Sequence, residues 1–347
     1  MHILILIVTD AWTPQVNGVV RTLQAVRDEL EGMGHRIELI SPDQFRSLPC
    51  PTYPEIRLAL TASVGKRIEE SAADAIHIAT EGPLGLAARR YCAKQDLPFT
   101  TAYHTQFPDY VAKRTRLPAR WFWRYIRWFH APAAAVMVST PTVEKQLRDN
   151  GVANTRHWGR GVDLKLFTTE GPRHPAFEGL AGPILLYVGR VAVEKNVEAF
   201  LTLDHPGTKV VVGDGPALDT LKARFPEVSF LGKITGPELA AAYRSADVFV
   251  FPSRTDTFGL VLIEALATGT PVAAYPVQGP IDVLTDEVAC MDQDLGRAVL
   301  EALKRDRATC AAYAGHFGWD ESARQFLEAL VPIHREVQVP EPAMERG

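Results

Sequence analysis

Two acidic residues, Asp256 and Glu264, stand eight positions apart on either side of a short loop. An apolar run ending at Phe251 predicts a buried strand before the loop, and a helical pattern begins near Leu260 after it. Gly259 allows the backbone to approach a ligand closely. The start of a helix presents unpaired N–H groups and a partial positive charge, so it suits a diphosphate. Carboxylates beside it can accept hydrogen bonds from vicinal hydroxyls.

Two basic residues follow the strand pattern Ile184–Val188, in the order Gly189-Arg190 and then Lys195-Asn196. Arg190 stands at the strand end and Lys195 at the start of the next helical stretch, so both can converge on one phosphate pair. Two cations there would neutralise a diphosphate leaving group without a metal ion. Surface charge is the plainer interpretation of either residue alone, but their place before the acid pair favours a site.

These segments together resemble the signature of the retaining GT-B glycosyltransferases of family four. That family carries an acid–seven residues–acid element here, usually beginning with Glu, where this chain has Asp256. The resemblance implies that Asp256 binds the donor sugar, that Glu264 binds the nucleotide ribose, and that Arg190 and Lys195 hold the diphosphate. It also implies retained anomeric configuration, no obligatory metal and no other cofactor.

The resemblance extends the donor site to several further residues of the second half. These are Gly213, Gly215, Gly232, Phe258, Gly259 and Leu260. The superficially metal-binding pair Asp292-Gln-Asp294 is interpreted as a polar loop, because no strand end precedes it.

Three residues of the first half complete the predicted cleft. Gly18 follows the first strand and would let backbone N–H groups approach the phosphates. His104 ends another strand, and the resemblance implies that it faces the donor sugar and belongs with Arg190, Lys195 and Asp256 in catalysis. A structural histidine is the alternative. Arg160 matches the family's loop before the interdomain linker, where it could reach a substrate or act at the hinge.

Alternating strands and helices must position these residues. In the first half the predicted strands are Ile3–Val8, Arg36–Ile40, Ala75–Ala79, Phe99–Tyr103 and Ala135–Ser139. In the second half they are Ile184–Val188, Lys209–Val212, Val228–Leu231, Val248–Phe251 and Pro271–Ala274. The pattern predicts an α/β protein with the GT-B architecture, in which two doubly wound Rossmann-like domains face each other across a cleft. The predicted bounds are 1–168 for the acceptor-side domain, 169–315 for the nucleotide-sugar domain, and 316–335 for a helix crossing back.

Composition narrows the function classes further. The net charge of −4 over 347 residues argues against a nucleic-acid partner. Four widely separated cysteines are expected to be free thiols. The N-terminal apolar run is too short for a signal peptide, so we expect a cytoplasmic protein. No Gly-x-Gly-x-x-Gly follows Val8 or Val188, which argues against a nicotinamide oxidoreductase.

A basic, aromatic segment at 111–130 indicates the acceptor side. The segment contains no acidic residue, and its basic residues are Lys113, Arg114, Arg116, Arg120, Arg124 and Arg127. On a helix the last three fall within roughly 60–80°. Aromatic and apolar residues, expected on the opposite side, are Trp121, Phe122, Tyr125, Ile126, Trp128 and Phe129. The pattern favours contact with an anionic bilayer surface, and the predicted membrane or acceptor residues are Arg120, Trp121, Arg124, Tyr125, Arg127 and Trp128. The alternative is an aromatic side packed in the core beneath a solvated arginine face.

The segment also resembles that of lipid glycosyltransferases in the same family. We therefore predict transfer of a hexosyl or hexuronosyl unit from a nucleotide sugar, UDP-linked by preference, to a lipid hydroxyl such as that of diacylglycerol. The enzyme is expected to lie peripherally on the cytoplasmic face of the inner membrane. One alternative is a GDP-mannose-dependent mannosyltransferase acting on a polyprenyl or inositol lipid or on a soluble glycan. Another is a non-catalytic membrane scaffold of the same fold.

Overall fold

The computed structural model describes residues 2–13, 15, 17–49, 57–59, 61–104 and 119–333. The strands are β1 Leu4–Val8, β2 Arg36–Ile40, β3 Ser47–Pro49, β4 Arg57–Ala59, β5 Ala75–Ile78, β6 Thr100–Ala102, β7 Ala135–Val138, β8 Thr155–His157, β9 Ile184–Val188, β10 Thr208–Val212, β11 Ser229–Gly232, β12 Val248–Phe251, β13 Val272–Ala274 and β14 Ala289–Met291. Cys50, Lys113, Arg114, Arg116 and the end of the predicted 316–335 segment lie outside the described residues.

Helices lie between most of these strands. Those of the first half are Gly18–Gly32, Val64–Ser71, Pro83–Lys94, Ala119–His130 and Pro141–Asp149. Those of the second half are Val197–Leu201, Leu218–Arg224, Gly236–Ser245, Leu260–Ala267, Pro280–Val283, Leu295–Ala302, Arg307–Ala314 and Trp319–Ala329. Short 3-10 turns occur at Pro42–Gln44, Pro175–Phe177 and Val193–Lys195.

Two six-stranded parallel sheets form the framework. Their orders are β2-β1-β5-β6-β7-β8 and β11-β10-β9-β12-β13-β14. In each sheet the chain winds outward in both directions from its first strand, which confirms the predicted pair of doubly wound domains. The edge strands β8 and β14 were not predicted, and neither was the antiparallel pair β3–β4. These strands have three residues each, too few to show a period.

Both faces of each sheet are covered, which explains the unbroken apolar runs of the central strands. In β9 all five residues are buried. Leu186 and Val188 pack into one core cluster, while Leu185 and Tyr187 pack into the cluster on the other face. Because both faces are covered, a site can form at the carboxyl edge of each sheet, where the loops lie.

The last helix, Trp319–Ala329, packs on the first half of the chain. Phe326 is fully buried beside Trp158, with ring centroids 5.0 Å apart. Further along, Ile333 donates its backbone N–H to the carbonyl oxygen of Asp74 at 2.7 Å. The chain thus returns to the β1–β5 region, and the domain bounds at 168 and 315 stay predictions.

Two further sequence expectations concern the cysteines and membranes. Cys92 and Cys310 are buried free thiols, and Cys290 is a half-buried one. Within the part of the chain that the structure describes, every helix is too short or too polar to cross a bilayer.

Candidate functional site

The loops after β9 and β12 meet at the carboxyl edge of the second sheet. The side-chain amide of Asn196 donates to the carbonyl oxygen of Pro252 at 3.0 Å, and Thr255 donates its hydroxyl to the carbonyl oxygen of Glu194 at 3.4 Å. Asn196 takes a left-handed conformation, with φ of 54°, which turns the chain from the 3-10 turn into helix Val197–Leu201. The loops carrying the two predicted phosphate ligands and the acid pair are therefore joined.

Lys195 and Asp256 form an ion pair across these loops. The lysine Nζ lies 2.5 Å from Oδ1 of Asp256. The other oxygen, Oδ2, is shielded from solvent and has no hydrogen-bond partner among the described residues. Arg190 follows β9 with an exposed side chain, and its carbonyl oxygen accepts from the Tyr187 hydroxyl at 2.8 Å. One carboxylate oxygen is thus held by a cation while the second retains its capacity to accept.

Glu264 is buried on the helix Leu260–Ala267, with 2% of its surface exposed. Its Oε2 accepts a hydrogen bond from the Tyr243 hydroxyl at 3.1 Å, and its Oε1 is paired with the Arg21 guanidinium. Burial, with the Glu264 charge added, raises the pKa of Tyr243 well above its usual value, so the phenol remains a donor. Burial is the largest influence on the pKa of Arg21 and lowers it, but the charge and hydrogen bond of Glu264, together with Tyr243, make the net shift upward. Both oxygens of Glu264 are therefore engaged by protein groups.

Arg21 and Tyr243 were missed by sequence reasoning. Arg21 lies in the first turn of the helix Gly18–Gly32, where the helix dipole disfavours a cation. A cation in that position is a signal that an anion lies nearby, although it does not say which one. Tyr243 lies within an alanine-rich buried helix and carries no comparable signal.

Gly18 is the first residue of the helix Gly18–Gly32, as expected. The N–H groups of Val19 and Val20 are capped by Oδ1 of Asn17, at 3.0 and 3.1 Å. A phosphate at this helix start would therefore replace the Asn17 side chain. A Cβ added to Gly18 would meet no atom within 4 Å, so protein packing does not require glycine here.

Two of the predicted donor-site glycines, Gly213 and Gly215, lie where the backbone packs closely. A side chain at Gly213 would overlap the carbonyl oxygen of Gly189, and the N–H of Gly213 donates to the carbonyl oxygen of Gly232 at 2.8 Å. A Cβ added to Gly215 would lie 2.4 Å from the carbonyl oxygen of Val191. The first two glycines let neighbouring strand ends pack, and Gly213 has no N–H left for a ligand. Beside Gly232, by contrast, the space for a Cβ is open.

The residues flanking Gly259 point into the protein. Phe258 is 7% exposed and lies edge-on to Phe317, with centroids 6.3 Å apart. Leu260 packs against the same core. Gly259 has a φ of +84° and starts the helix. Phe258 and Leu260 can therefore offer a ligand their backbone groups.

His104 lies against both Arg160 and the acid-pair loop. Its carbonyl oxygen accepts from the Thr257 hydroxyl at 2.8 Å, and its Nδ1 is 3.2 Å from Nη2 of Arg160. Thr257 adjoins Asp256, so the structure places His104 beside the loop that carries the first acid of the pair.

The helix Ala119–His130 corrects one part of the predicted membrane face. Trp121 and Trp128 are 68% and 43% exposed and were wrongly expected on the side opposite the arginines. They lie beside the exposed arginines because residues one position away on a helix are rotated by only ~100°. The exposed face consists of Arg120, Trp121, Arg124, Arg127 and Trp128. Tyr125 lies off it, since its hydroxyl donates to the carbonyl oxygen of Glu81 at 2.6 Å.

Strand β14 ends immediately before Asp292, so the expectation that no strand end precedes this pair was wrong. Asp292 and Asp294 nevertheless have local structural partners. Asp292 forms an ion pair with Arg297 at 2.6 Å, and Asp294 caps the helix Leu295–Ala302 by accepting from Gly296 and Arg297 N–H groups. Their carboxylates thus organise a loop and a helix start.

Comparison with known proteins covers both halves. Residues 16–166 match the model described as Glycosyltransferase Family 4, and residues 182–305 match Glycosyl transferases group 1. A GDP-mannose-dependent alpha-mannosyltransferase of Corynebacterium glutamicum is 30% identical, covering 81% of this chain and 74% of that protein. Sulfoquinovosyl transferase SQD2 of Arabidopsis thaliana is 30% identical, covering 78% and 59%. An alpha-monoglucosyldiacylglycerol synthase of Streptococcus pneumoniae is 28% identical, covering 85% and 77%.

Solved structures share the architecture. Sucrose-phosphate synthase from Thermosynechococcus elongatus superposes with a TM-score of 0.73 at 21% identity, covering 94% of this chain and 98% of that one. HepE of Anabaena, crystallised with UDP and glucose, gives 0.69 at 16% identity, covering 94% and 99%. These likenesses establish the fold.

The Arg21–Glu264 pair predicts a measurable stabilisation. Replacing Arg21 with Met leaves a buried carboxylate with Tyr243 alone. We expect a loss of about 1–2 kcal/mol, less than for a fully buried pair, because the Arg21 side chain is 38% exposed. Arg36→Met is the matched control, since Arg36 is 76% exposed and pairs with Glu38. Equal urea-unfolding free energies for the two variants would contradict the prediction.

Proposed function

Because the chain belongs to the GT-B glycosyltransferases of family four, we propose that it transfers a hexosyl or hexuronosyl unit from a nucleotide sugar, preferably UDP-linked, to a lipid hydroxyl such as that of diacylglycerol. The observation that carries the proposal is the grouping of Asp256 with Lys195 and of Glu264 with Arg21 and Tyr243, on the loop and the helix that follow β12. Two carboxylates for diols and cations for a diphosphate match the parts of such a donor.

Each group has a task in this assignment. The diphosphate would draw Lys195 away from Asp256. Lys195 and Arg190 would then share the charge of the leaving group. Asp256 would then accept from sugar hydroxyls, beginning with the unpartnered Oδ2. Glu264 would accept from the ribose hydroxyls, which take over from Arg21. The donor therefore exchanges protein ion pairs for its own contacts.

The reaction that the resemblance implies is a same-face displacement with retention. The bond from the anomeric carbon to the phosphate oxygen breaks as the acceptor oxygen bonds to that carbon on the same face. The acceptor proton passes to the departing phosphate. We assign no protein general base, so the enzyme acts by positioning reactants and stabilising the leaving group. No metal ion or other cofactor enters the scheme.

The acceptor proposal rests on the exposed face of helix Ala119–His130. Three arginines and two tryptophans share an arc of about 120°. The guanidinium of Arg89 lies 3.9 Å over the Trp128 ring and adds a further cation to this face. Basic residues attract anionic headgroups, and tryptophan favours the interfacial region. We propose that this face docks on the cytoplasmic leaflet and brings a lipid hydroxyl to the cleft.

A second candidate donor is GDP-mannose. It is supported by the Corynebacterium glutamicum relative, which is named as a GDP-mannose-dependent alpha-mannosyltransferase. The name of the Streptococcus pneumoniae relative, an alpha-monoglucosyldiacylglycerol synthase, supports the proposed lipid acceptor. The groups assigned above would serve either donor, because they are assigned to the ribose, the diphosphate and the sugar. None of them is assigned to the base.

The binding role of Glu264 is tested with Glu264→Gln, which keeps its size while halving its accepting oxygens. We expect calorimetric affinity for UDP or GDP, whichever the wild type binds, to fall at least tenfold, the range for a lost hydrogen bond to a charged group. Glu301→Gln is the control, because Glu301 pairs with Lys304 at the surface. Wild-type nucleotide affinity in a folded Glu264→Gln protein would remove the ribose assignment.

Gly18→Ala separates ligand approach from folding. The added methyl has room in the protein, and alanine is the better helix former, so stability should rise by about 0.5–1 kcal/mol. A diphosphate at the helix start would meet the methyl, so the donor KM should increase several-fold. An unchanged KM in this variant would place the diphosphate away from Gly18.

Membrane docking is tested by replacing Arg120, Arg124 and Arg127 together with Gln. At about 1 kcal/mol per basic residue, partitioning onto phosphatidylglycerol-containing vesicles should fall about 100-fold. The control triple changes Arg224, Lys304 and Arg324 to Gln, which removes the same charge from other exposed positions. If both triples lose binding equally, the helix is not a specific docking face.

A further inference from the structure

Arg160 is a buried cation without a carboxylate partner among the described residues. Only 7% of the residue is exposed. Its Nη1 donates to the carbonyl oxygens of Trp158 at 2.6 Å and Gly159 at 3.0 Å, and the guanidinium carbon lies 4.4 Å over the Trp158 ring. Burying a guanidinium without an anion is costly. A solvated lysine or a neutral residue would serve a plain loop at lower cost, so a specific task for this guanidinium is indicated.

The contact between Arg160 and His104 fixes the protonation of the imidazole. Nη2 of Arg160 lies 3.2 Å from Nδ1 of His104. A guanidinium only donates hydrogen bonds, so Nδ1 must be the accepting nitrogen and the proton must lie on Nε2. Burial, aided by the charge of Arg160, lowers the pKa of His104 well below its usual value. The ring is therefore neutral, with an Nε2–H donor.

Within the described part of the chain, no protein group accepts a hydrogen bond from this Nε2–H. Nε2 of His104 is shielded from solvent and lacks a hydrogen-bond partner there. The main chain of His104 is tied to Thr257, the neighbour of Asp256, through the 2.8 Å hydrogen bond to its carbonyl oxygen. A buried N–H without an acceptor, beside the loop that carries Asp256, can be satisfied by an oxygen of a bound ligand.

We propose that Arg160 is a positioning residue that holds His104 in its Nε2–H form, so that His104 donates a hydrogen bond to an oxygen of the transferred sugar. The identity of that ligand rests on the proposed function. The protonation state and its cause do not. His104 in this form has no free lone pair and cannot act as the general base, whereas it can bind a hydroxyl or a carboxylate oxygen of the donor.

Nitrogen NMR of histidine-labelled protein tests the first part without substrate. Long-range proton–nitrogen spectra distinguish the two tautomers, and His104→Gln assigns the signals of this ring. We expect Nε2–H in the wild type and in Arg160→Lys, whose ammonium also only donates. Arg160→Met should release the ring to a mixture of tautomers. Nδ1–H in the wild type would overturn the proposal even if the methionine variant failed to fold, and so would an unchanged tautomer in folded Arg160→Met.

Donor turnover tests the second part through a double-mutant cycle. Arg160→Met should lower kcat about tenfold, a typical loss for one positioned hydrogen bond. Glutamine at position 104 carries an N–H that does not depend on Arg160. Arg160→Met should therefore cost little more once His104→Gln is present. Arg156→Met on β8 is the control, since within the described residues its guanidinium donates to the carbonyl oxygen of the neighbouring Thr155.

Additive losses in the cycle would assign Arg160 to general stability and overturn the positioning role. If the wild type shows the Nε2–H form but turns over no nucleotide sugar, the proposed function fails while the assigned tautomer stands. The two failures are thus distinguishable.

Discussion

The buried carboxylate of Glu264 is bound from two sides by elements that belong to different halves of the chain. Arg21 comes from the first helix after β1, and Tyr243 from a helix of the second sheet. A charge with 2% exposure needs both partners, because an unpaired buried carboxylate is strongly unfavourable. The position of the helix Leu260–Ala267 therefore sets where the two halves meet. Two further contacts between the halves, Thr257 with His104 and Thr142 with Asp282, fit that placement.

The second ion pair has a different character. Lys195 and Asp256 are each only partly buried and lie on loops, which makes their pairing easier to exchange. In the absence of a donor the lysine neutralises the carboxylate that the sugar would need. In the proposed assignment a diphosphate would attract the lysine more strongly and release the carboxylate at the same time. Donor charge and sugar recognition would then be linked through one salt bridge.

Much of this arrangement follows from the sequence, because parallel sheets covered on both faces require unbroken apolar strands. β2, β9 and β12 were predicted with their observed bounds. The acid pair was located because a strand, a glycine and a helix start occur in order around it. Contacts between distant segments were not predictable. No sequence feature near Arg21 indicates that its partner is Glu264, which lies 243 positions away.

The aromatic helix shows a different limit. Its period indicated the arginine face correctly, but the depth to which each neighbour is buried depends on what the helix packs against. Ile126 and Phe129 fill the core, while Trp121 on the same helix is 68% exposed. The glycines after β10 show a third limit. Gly213 resembles a ligand-binding glycine in sequence, yet its backbone serves the packing of strand ends.

The most direct measurement is mass spectrometry of lipids after the protein is incubated with UDP-hexoses, UDP-hexuronic acid or GDP-mannose and diacylglycerol in anionic vesicles. The account predicts a lipid heavier by one hexosyl or hexuronosyl unit, with one nucleoside diphosphate released for each unit transferred. A lipid product from GDP-mannose would keep the site and change the donor. Consumption of none of these donors, by a folded protein bound to the vesicles, would contradict the account.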